Sequence, residues 1–361
     1  MRYLRLKMLV LIFVSMVIPC FGKPLLKVAV AGMNHDHVHV LLNLYQQKEV
    51  TLLGIAESDT ALIHRMQQRY HLPDSLFFST LTGLLKKVKP DVVLAYNPIA
   101  EHIDVAEACL PLRIPVMVEK PLAANMAQAE RISKLAKENN TPFLTNYETT
   151  WYKSNQMIKK LVDQQALGAL RKIIVRDGHQ GPKEIGCSTD FLVWLTDPQK
   201  NGGGALMDFG CYGANLITWL KHGKRPTAVT AVTRHLKPHI YPKVEDEATV
   251  VLEYADGTSG IIQASWNWPY NIKDMQVFGE SKMLHAVNDR VLLEYSGVDN
   301  QHKILLDNDN YYPNHLAYLK AVLAGKIEAT HDLSSLDNNL IVVEILEAAK
   351  KSAKTGERII L

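Results

Sequence analysis

Two short segments of the chain carry side chains that can hold and move protons. Lys120 stands between Glu119 and Pro121 after an apolar, strand-like run, and Asp208 and Tyr212 follow three consecutive glycines. A lysine in such a position can polarise a substrate oxygen, and a carboxylate beside a phenol can act as an acid/base pair in the oxidation of an alcohol. The alternative interpretation of the first segment is the start of a helix without a chemical role, and that of the second segment is a glycine loop with a structural role only.

The spacing of Asp208, Tyr212 and Asn215 predicts how these side chains are arranged. Residues four and three positions apart lie on one side of an α-helix, so we expect the three to share one helical face. The glycines at 202–204 suit a loop that approaches a ligand closely.

The first part of the chain alternates strand and helix patterns. Apolar runs at 25–31, 50–56, 77–78, 91–95, 115–118 and 142–144 alternate with helical patterns at 38–47, 60–70, 81–88, 103–110 and 125–138. Continuous apolar runs are typical of strands buried on both faces of a parallel sheet. The pattern therefore predicts an α/β fold that begins with a Rossmann-type, doubly wound parallel sheet over residues 23–145.

The second part of the chain is richer in strand patterns. Strand-like runs at 170–175, 228–234, 248–253, 259–266, 274–278 and 283–286 follow a helix at 154–165, and a helix at 334–354 comes last. The turn sequence Asp256-Gly257 between two runs indicates a hairpin. We expect residues 146–361 to form an α+β domain on a largely antiparallel, open sheet.

The first strand-to-helix turn is a weak match to a dinucleotide-binding turn. Such turns carry glycine at their first, third and sixth positions, and here those positions are Gly32, Asn34 and His37. Asn34 can adopt a left-handed backbone, whereas His37 is bulkier than any residue usual there. Taken alone, this segment fits an ordinary strand-to-helix turn that binds no nucleotide at least as well.

Glu57 strengthens the nucleotide interpretation. It ends the second predicted strand, where a carboxylate can accept hydrogen bonds from the adenosine ribose. It would also repel a 2′-phosphate, so NAD is favoured and NADP is the second choice. A solvated carboxylate at a strand end is the alternative.

Three segments together resemble the Gfo/Idh/MocA family, named for glucose–fructose oxidoreductase and inositol dehydrogenase. The first is Glu119-Lys120-Pro121, which matches the family's Glu-Lys-Pro motif. The second is Asn97-Pro98 followed by His102, which matches its Thr-Pro-x-x-x-His element with Asn for Thr. The third is the glycine-rich segment 202–215, and the resemblance covers essentially the whole chain after residue 22.

The resemblance implies hydride transfer between a nicotinamide and a sugar or polyol carbon. Lys120 then corresponds to the catalytic lysine, Asp208 to the carboxylate that positions substrate, and Tyr212 to a position held by histidine or tyrosine in other members. A cation such as Lys120 near the Tyr212 phenol is expected to lower its pKa. Asn215 replaces a frequent acidic residue, which puts a direct catalytic role for this position in doubt.

The binding residues are expected at strand ends and in the loops of the second domain. The predicted NAD contacts are Gly32, Met33, Asn34, His37, Glu57, Asn97, Pro98, His102, Glu119 and Lys120. The predicted substrate contacts are Asn146, Trp151, His179, Lys183, Asn215 and Trp268. Trp266 and Trp268 could stack on a sugar ring, or they could be core or subunit contacts.

Composition excludes several classes of partner and site. The 361 residues carry a net charge of +3 and no long basic run, so nucleic acid is not an expected partner. The four cysteines are scattered, so neither a disulfide framework nor a metal site is predicted. The resemblance implies a homodimer or homotetramer.

The N-terminus has the layout of a secretory signal peptide. Arg2, Arg5 and Lys7 precede an uncharged stretch that ends in small residues near Gly22. Residues 1–22 are therefore predicted to be removed, the mature chain is expected in the periplasm, and no membrane span is expected after cleavage. An uncleaved anchor is the alternative.

Three functions fit these observations. The leading hypothesis is an NAD(P)-dependent oxidoreductase for a sugar, glycoside or polyol. A glycoside hydrolase that uses bound NAD for transient oxidation and elimination is second, because free NAD is scarce outside the cytoplasm and a tightly held cofactor would suit export. A non-catalytic sugar- or nucleotide-binding protein is third.

The export hypothesis predicts a processed N-terminus. Intact-mass spectrometry of the protein recovered from the periplasm should give a chain that starts at Lys23, because cleavage is expected after Gly22. A full-length chain that retains Met1 and sediments with the membrane would support the anchor instead.

Overall fold

A computed structural model describes residues 25–306 and 312–361. The predicted signal peptide therefore lies outside the described residues, and its cleavage stays a prediction. No helix in the two described ranges combines the length and the apolar character that crossing a membrane requires.

The first sheet has six parallel strands in the order β3-β2-β1-β4-β5-β6. This order confirms the predicted doubly wound Rossmann sheet. Every residue of β4 and β5 is buried, which explains their continuous apolar sequences. The strands are β1 (Leu26–Ala31), β2 (Val50–Ala56), β3 (Phe77–Phe78), β4 (Val92–Ala95), β5 (Val116–Glu119) and β6 (Phe143–Asn146).

Five helices connect these strands, close to the predicted ranges. They are α1 (Val38–Gln46), α2 (Thr60–Tyr70), α3 (Leu81–Leu85), α4 (His102–Cys109) and α5 (Met126–Glu138). Side chains cap the start of three of them, since Asp59 accepts hydrogen bonds from the first turn of α2, Thr80 from that of α3 and Asn125 from that of α5.

The second sheet has nine strands in the order β14-β13-β12-β11-β7-β10-β9-β8-β15. Only the pair β7–β10 is parallel among the described pairs, which confirms the expected largely antiparallel sheet. The strands are β7 (Leu170–Gly178), β8 (Ala228–Arg234), β9 (Glu247–Glu253), β10 (Ser259–Ser265), β11 (Ile272–Gly279), β12 (Lys282–Ala286), β13 (Val291–Ser296), β14 (Asn300–Leu305) and β15 (Ile359–Ile360).

Helices of the second half cover one face of this sheet and also contact the first domain. They are α6 (Lys153–Asp163), α7 (Thr189–Leu195), α8 (Pro198–Asn201), α9 (Ala205–Asp208), α10 (Gly210–Leu220), α11 (His315–Leu323) and α12 (Leu336–Thr355). Every residue of α10 is buried, whereas Val232 of β8 and Val251 of β9 remain exposed on the other face. Leu316 and Leu319 of α11 pack into the core of the Rossmann sheet. The oligomeric state stays a prediction.

The sequence patterns missed α7, α11 and the short strands β13 to β15, and one prediction about a helix was wrong. Asp208 and Tyr212 do not share one continuous helix, because α9 ends at Asp208 and α10 begins at Gly210. The Tyr212 amide donates to the Phe209 carbonyl at 3.1 Å, one residue closer than an α-helical bond. The Asp208 carbonyl accepts a hydrogen bond from Lys120 instead.

Asn215 lies at a helix interface. Its amide donates to the Leu333 carbonyl at 2.8 Å and to the Asn339 side chain at 3.2 Å, and its backbone carbonyl accepts from Asn338 at 3.2 Å. The prediction that Asn215 contacts substrate is therefore corrected, because its amide fixes α10 against α12.

Replacement of this amide should lower stability and leave substrate binding unchanged. Asn215→Ala leaves the Leu333 carbonyl and the Asn339 side chain with one partner fewer, which should cost about 1–3 kcal/mol in the free energy of unfolding. Urea unfolding measures that loss, and steady-state kinetics checks KM. A raised KM with unchanged stability would restore the substrate role.

Candidate active site

The turn after β1 brings two strand ends into close contact. Gly32 has a φ of +73°, and a Cβ atom at this position would lie 2.7 Å from the Cβ of Asn97 after β4. The turn therefore requires glycine, and it lies where β1 separates β2 from β4. In open α/β sheets this change of direction is where ligands bind.

The backbone amides of this turn are partly free. Met33 donates to the Glu57 carboxylate at 3.0 Å and His35 donates to the Tyr96 carbonyl at 2.9 Å. The His37 amide donates to the His35 ring at 3.1 Å. Among the described residues, the amides of Asn34 and Asp36 have no acceptor, so they are available to an anionic group such as a pyrophosphate.

A cleft beside the turn fits an adenosine group. It has a volume of about 280 Å³, and Glu57 and Asn97 line it. The Glu57 carboxylate also accepts from the amides of Ser58 and Asp59, at 2.8 and 2.9 Å, which fixes its position at the end of β2. The buried Oδ1 of Asn97 has no partner among the described residues, so it can accept a hydrogen bond from a ligand. Of the sequence-predicted nucleotide residues, Glu57 and Asn97 therefore meet at this cleft.

A chain of hydrogen bonds fixes Glu119 beneath the turn. Its carboxylate bonds to the His37 ring at 2.9 Å and accepts from Asn146 at 2.9 Å, and Trp151 donates to Asn146 at 3.1 Å. Burial raises the pKa of Glu119, but the His37 contact outweighs it and holds the pKa well below the usual value. Asn146 and Trp151, predicted as substrate contacts, are thus bonded to Glu119 and to each other.

His35, His37 and Glu119 bring potential metal-ligand atoms within 4.8 Å of one another, although the sequence predicted no metal site. The His35 Nδ1 lone pair accepts the His37 amide, and the His37 Nδ1 pairs with Glu119. These two hydrogen bonds explain why the three side chains lie together in the turn.

His102 supports the segment that follows the Glu-Lys-Pro motif. Its Nδ1 donates to the Leu122 carbonyl at 3.1 Å, and the ring is fully buried at the start of α4. Burial lowers the pKa of His102 to about 4, so the ring is neutral. Pro98 caps the short 3₁₀ helix just before α4. Both residues thus help to shape the segments that follow β4 and β5, and their contact with the cofactor stays a prediction.

Lys120 and Asp208 form a buried ion pair between the two sheets. The Lys120 ammonium contacts the Asp208 carboxylate and donates to its backbone carbonyl at 3.0 Å. Burial lowers the pKa of Lys120, but the Asp208 charge outweighs it and holds that pKa above its usual value. Burial raises the pKa of Asp208, but Lys120 and the Trp266 indole, which donates at 3.0 Å, hold it below its usual value. Both groups are therefore charged.

Tyr212 lies beside this pair, as predicted, but its expected pKa was wrong. The ammonium of Lys120 is 5.1 Å from the centre of the Tyr212 ring, and that of Lys273 is 5.2 Å away. Burial, with the Glu148 and Asp177 carboxyls, nevertheless raises the pKa of the phenol well above its usual value. The Tyr212 hydroxyl makes no hydrogen bond within the described residues, so a substrate oxygen can use it.

The other predicted substrate residues are placed differently. The His179 ring packs edge-on against Phe209 at 4.8 Å and accepts the Gly181 amide at its Nδ1, so this residue joins the site. Trp268 packs over Gly178, where an added Cβ would lie 2.8 Å from its ring. Lys183 is exposed on the loop that follows, and its amide donates to Tyr241.

The sequence patterns missed Lys273, Asp177 and Glu148, and they left open whether Trp266 is a sugar contact or a core residue. The indole of Trp266 is fully buried and bonded to Asp208, so this ring belongs to the core of the site. Lys273 and Asp177 meet through the pairing of β11 with β7, which no local pattern specifies. The only sequence signal for Lys273 and Asp177 was that each is a charged residue within a largely apolar strand pattern.

Family models match both parts of the chain. Residues 26–147 match the oxidoreductase family with an NAD-binding Rossmann fold, and residues 155–285 match the Gfo/Idh/MocA C-terminal domain.

Curated relatives are similar to this chain over about two thirds of its length. A trans-1,2-dihydrobenzene-1,2-diol dehydrogenase of Xenopus tropicalis is 26% identical over 238 residues, which cover 65% of this chain and 67% of the relative. The Bos taurus enzyme of the same name is 25% identical over 237 residues, which cover 65% of this chain and 66% of the relative.

Two solved structures share the fold. An inositol dehydrogenase homologue from Azotobacter vinelandii, complexed with NAD+, superposes with a TM-score of 0.81 at 17% identity and covers 94% of this chain and 98% of its own. An aldose–aldose oxidoreductase from Caulobacter crescentus, complexed with glycerol, gives a TM-score of 0.77 at 20% identity. The match covers 94% of this chain and 100% of the Caulobacter chain. With its Rossmann domain, its second domain and its Glu-Lys-Pro motif, the chain belongs to the Gfo/Idh/MocA family of NAD-binding oxidoreductases.

Proposed function

We propose that this oxidoreductase transfers a hydride between NAD and a CH–OH carbon of a sugar, glycoside or polyol. The observation that carries the proposal is the buried Lys120–Asp208 pair at the end of β5, with the Tyr212 ring 5.1 Å from the lysine ammonium. The curated relatives support a hydroxyl substrate, since they are named as dehydrogenases of a diol.

The protonation states define the role of each group in reduction of a carbonyl. Bound NADH would supply the hydride to the carbonyl carbon. The charged Lys120 can donate a hydrogen bond to the carbonyl oxygen, and the neutral Tyr212 can give that oxygen its proton. Oxidation of an alcohol is the reverse of this step, in which the Tyr212 phenolate takes the proton of the substrate hydroxyl.

We also propose that the enzyme is exported and exchanges its NAD seldom. The N-terminal pattern supports export, and an atypical turn with His37 over Glu119 supports an unusual mode of binding. A retained cofactor would need a second substrate to restore its redox state in each cycle.

A panel of aldoses, glycosides and polyols tests the reaction. Addition of a substrate should change the absorbance of the enzyme-bound NADH as a hydroxyl and a keto group interconvert, and product analysis should find a keto-sugar, an aldose or a polyol. A free aglycone without net NADH change would support the hydrolase instead.

Tyr212→Phe should lower kcat by about 10²–10⁴-fold, because it removes only the hydroxyl that moves the proton. Tyr147→Phe is the matched control, since Tyr147 is equally buried and packs edge-on against Tyr212 at 5.3 Å. Steady-state kinetics should show loss in the first variant and near wild-type rates in the second. Lys120→Ala should also lose turnover, and wild-type activity in both Lys120→Ala and Tyr212→Phe would contradict the assignment.

In protein freed of its nucleotide, Glu57→Gln should raise the ratio of the affinity for NADP to the affinity for NAD by about tenfold or more, because it removes the negative charge that faces a 2′-phosphate. Asp104→Asn, on the exposed rim of the same cleft, should leave that ratio within about twofold. An unchanged ratio in Glu57→Gln would mean that Glu57 does not select the cofactor.

A further inference from the structure

A second charged group faces Tyr212 from the sheet. Lys273 of β11 and Asp177 of β7 are directly paired across antiparallel strands, so their side chains lie on the same face. That face carries α10, because the Lys273 ammonium is 5.2 Å from the Tyr212 ring and 6.0 Å from the Phe209 ring. Lys120 lies 5.1 and 5.8 Å from the same two rings. The two lysines therefore converge on one pair of rings.

Asp177 is a buried carboxyl group without a hydrogen-bond partner. The residue is 2% exposed, and its Oδ1 finds no partner among the described residues. Native proteins rarely leave such an atom unpaired, and a ligand or ordered water is the usual explanation. Asp177 is also close enough to Lys120 and Asp208 for their charges to affect it.

Lys273 has donor capacity to spare. An ammonium group has three N–H donors, and within the described residues Lys273 donates only to Glu148. The Glu148 side chain is 45% exposed and that of Lys273 is 16% exposed. Glu148 therefore lies at the outer edge of this group and Asp177 at its buried end.

The charges of this region favour a neutral ligand. Lys120 and Lys273 are balanced by Asp208 and Glu148, which leaves the Asp177 carboxyl in excess. Burial raises the pKa of Asp177 well above its usual value, and Lys273 offsets this only in part. A protonated Asp177 makes the group neutral overall and able both to donate and to accept a hydrogen bond.

We propose that Asp177 and Lys273 bind a second hydroxyl group of the substrate, beside the hydroxyl or carbonyl that reacts near Lys120 and Tyr212. The pair then determines specificity: it favours neutral, vicinally hydroxylated compounds over mono-alcohols and over sugar acids. This inference rests on the proposed function, because it takes the Lys120–Tyr212 site as the place of reaction.

Binding to NADH-saturated protein tests the pair without turnover, because bound NADH cannot oxidise an alcohol. Calorimetry should compare trans-1,2-cyclohexanediol with cyclohexanol, and methyl glucoside with methyl glucuronoside, since none of these compounds has a carbonyl carbon that NADH can reduce. Wild type should bind the diol at least about tenfold more tightly than the mono-alcohol, and the glucoside more tightly than the glucuronoside. In Asp177→Ala and Lys273→Met the preference for the diol should fall below about twofold.

Two further variants separate binding from folding. Asp177→Asn preserves shape and should keep part of the diol preference. Asp274→Asn changes the acid next to Lys273 on β11, which bonds to Arg176 and His285 instead, and it should keep the full preference.

This inference would be overturned if wild type bound the diol and the mono-alcohol equally, or if Asp177→Ala and Lys273→Met both kept the preference for the diol. In either case, binding of NADH would leave the proposed function intact. Failure of wild type to bind NADH would overturn both.

Discussion

The ion pair between Lys120 and Asp208 joins the end of a Rossmann strand to the last residue of α9, just before the helix α10 that packs on the second sheet. Each side chain is only 6% exposed, and removing two charges from water costs several kcal/mol per ion. The surrounding contacts compensate, because Lys120 also donates to the Asp208 carbonyl and Trp266 donates to the Asp208 carboxylate. Removing one partner of such a pair typically costs about 3–5 kcal/mol, so the site and the docking of the two domains depend on each other.

Burial determines the chemistry around this pair. Lys120 keeps its charge because Asp208 is adjacent, whereas Tyr212 keeps its proton although two ammonium groups lie near its ring. The same desolvation keeps His102 neutral behind the motif. The result is a site whose resting groups donate protons and hydrogen bonds, which suits reduction of a carbonyl and recognition of hydroxyl groups.

Local patterns were sufficient for the parts of the fold that depend on local burial. Continuous apolar runs identified β1, β2, β4 and β5, and their position before Glu57 and Asn97 placed the nucleotide cleft. The family resemblance predicted that Lys120, Asp208 and Tyr212 lie together, and the structure brings them to one place.

Sequence patterns failed where distant elements decide the outcome. Helical spacing predicted that Asn215 and Asp208 share one helical face. The helix breaks at Phe209 instead, because Lys120 of the Rossmann domain donates a hydrogen bond to the Asp208 carbonyl. Asn146 and Trp151 looked available for substrate until the structure placed Glu119 beside them. Asp177 and Lys273 meet only through the register of β7 with β11, and the pKa of Tyr212 depends on burial that no spacing reports.

The most direct test of the central claim is native mass spectrometry of the purified full chain, before and after addition of NADH. The account predicts one NAD(H) per chain, present without addition and released as intact dinucleotide on denaturation. A chain that binds NADH only on addition would contradict slow exchange of the cofactor. A chain that takes up no dinucleotide even from excess NADH would contradict the account as a whole.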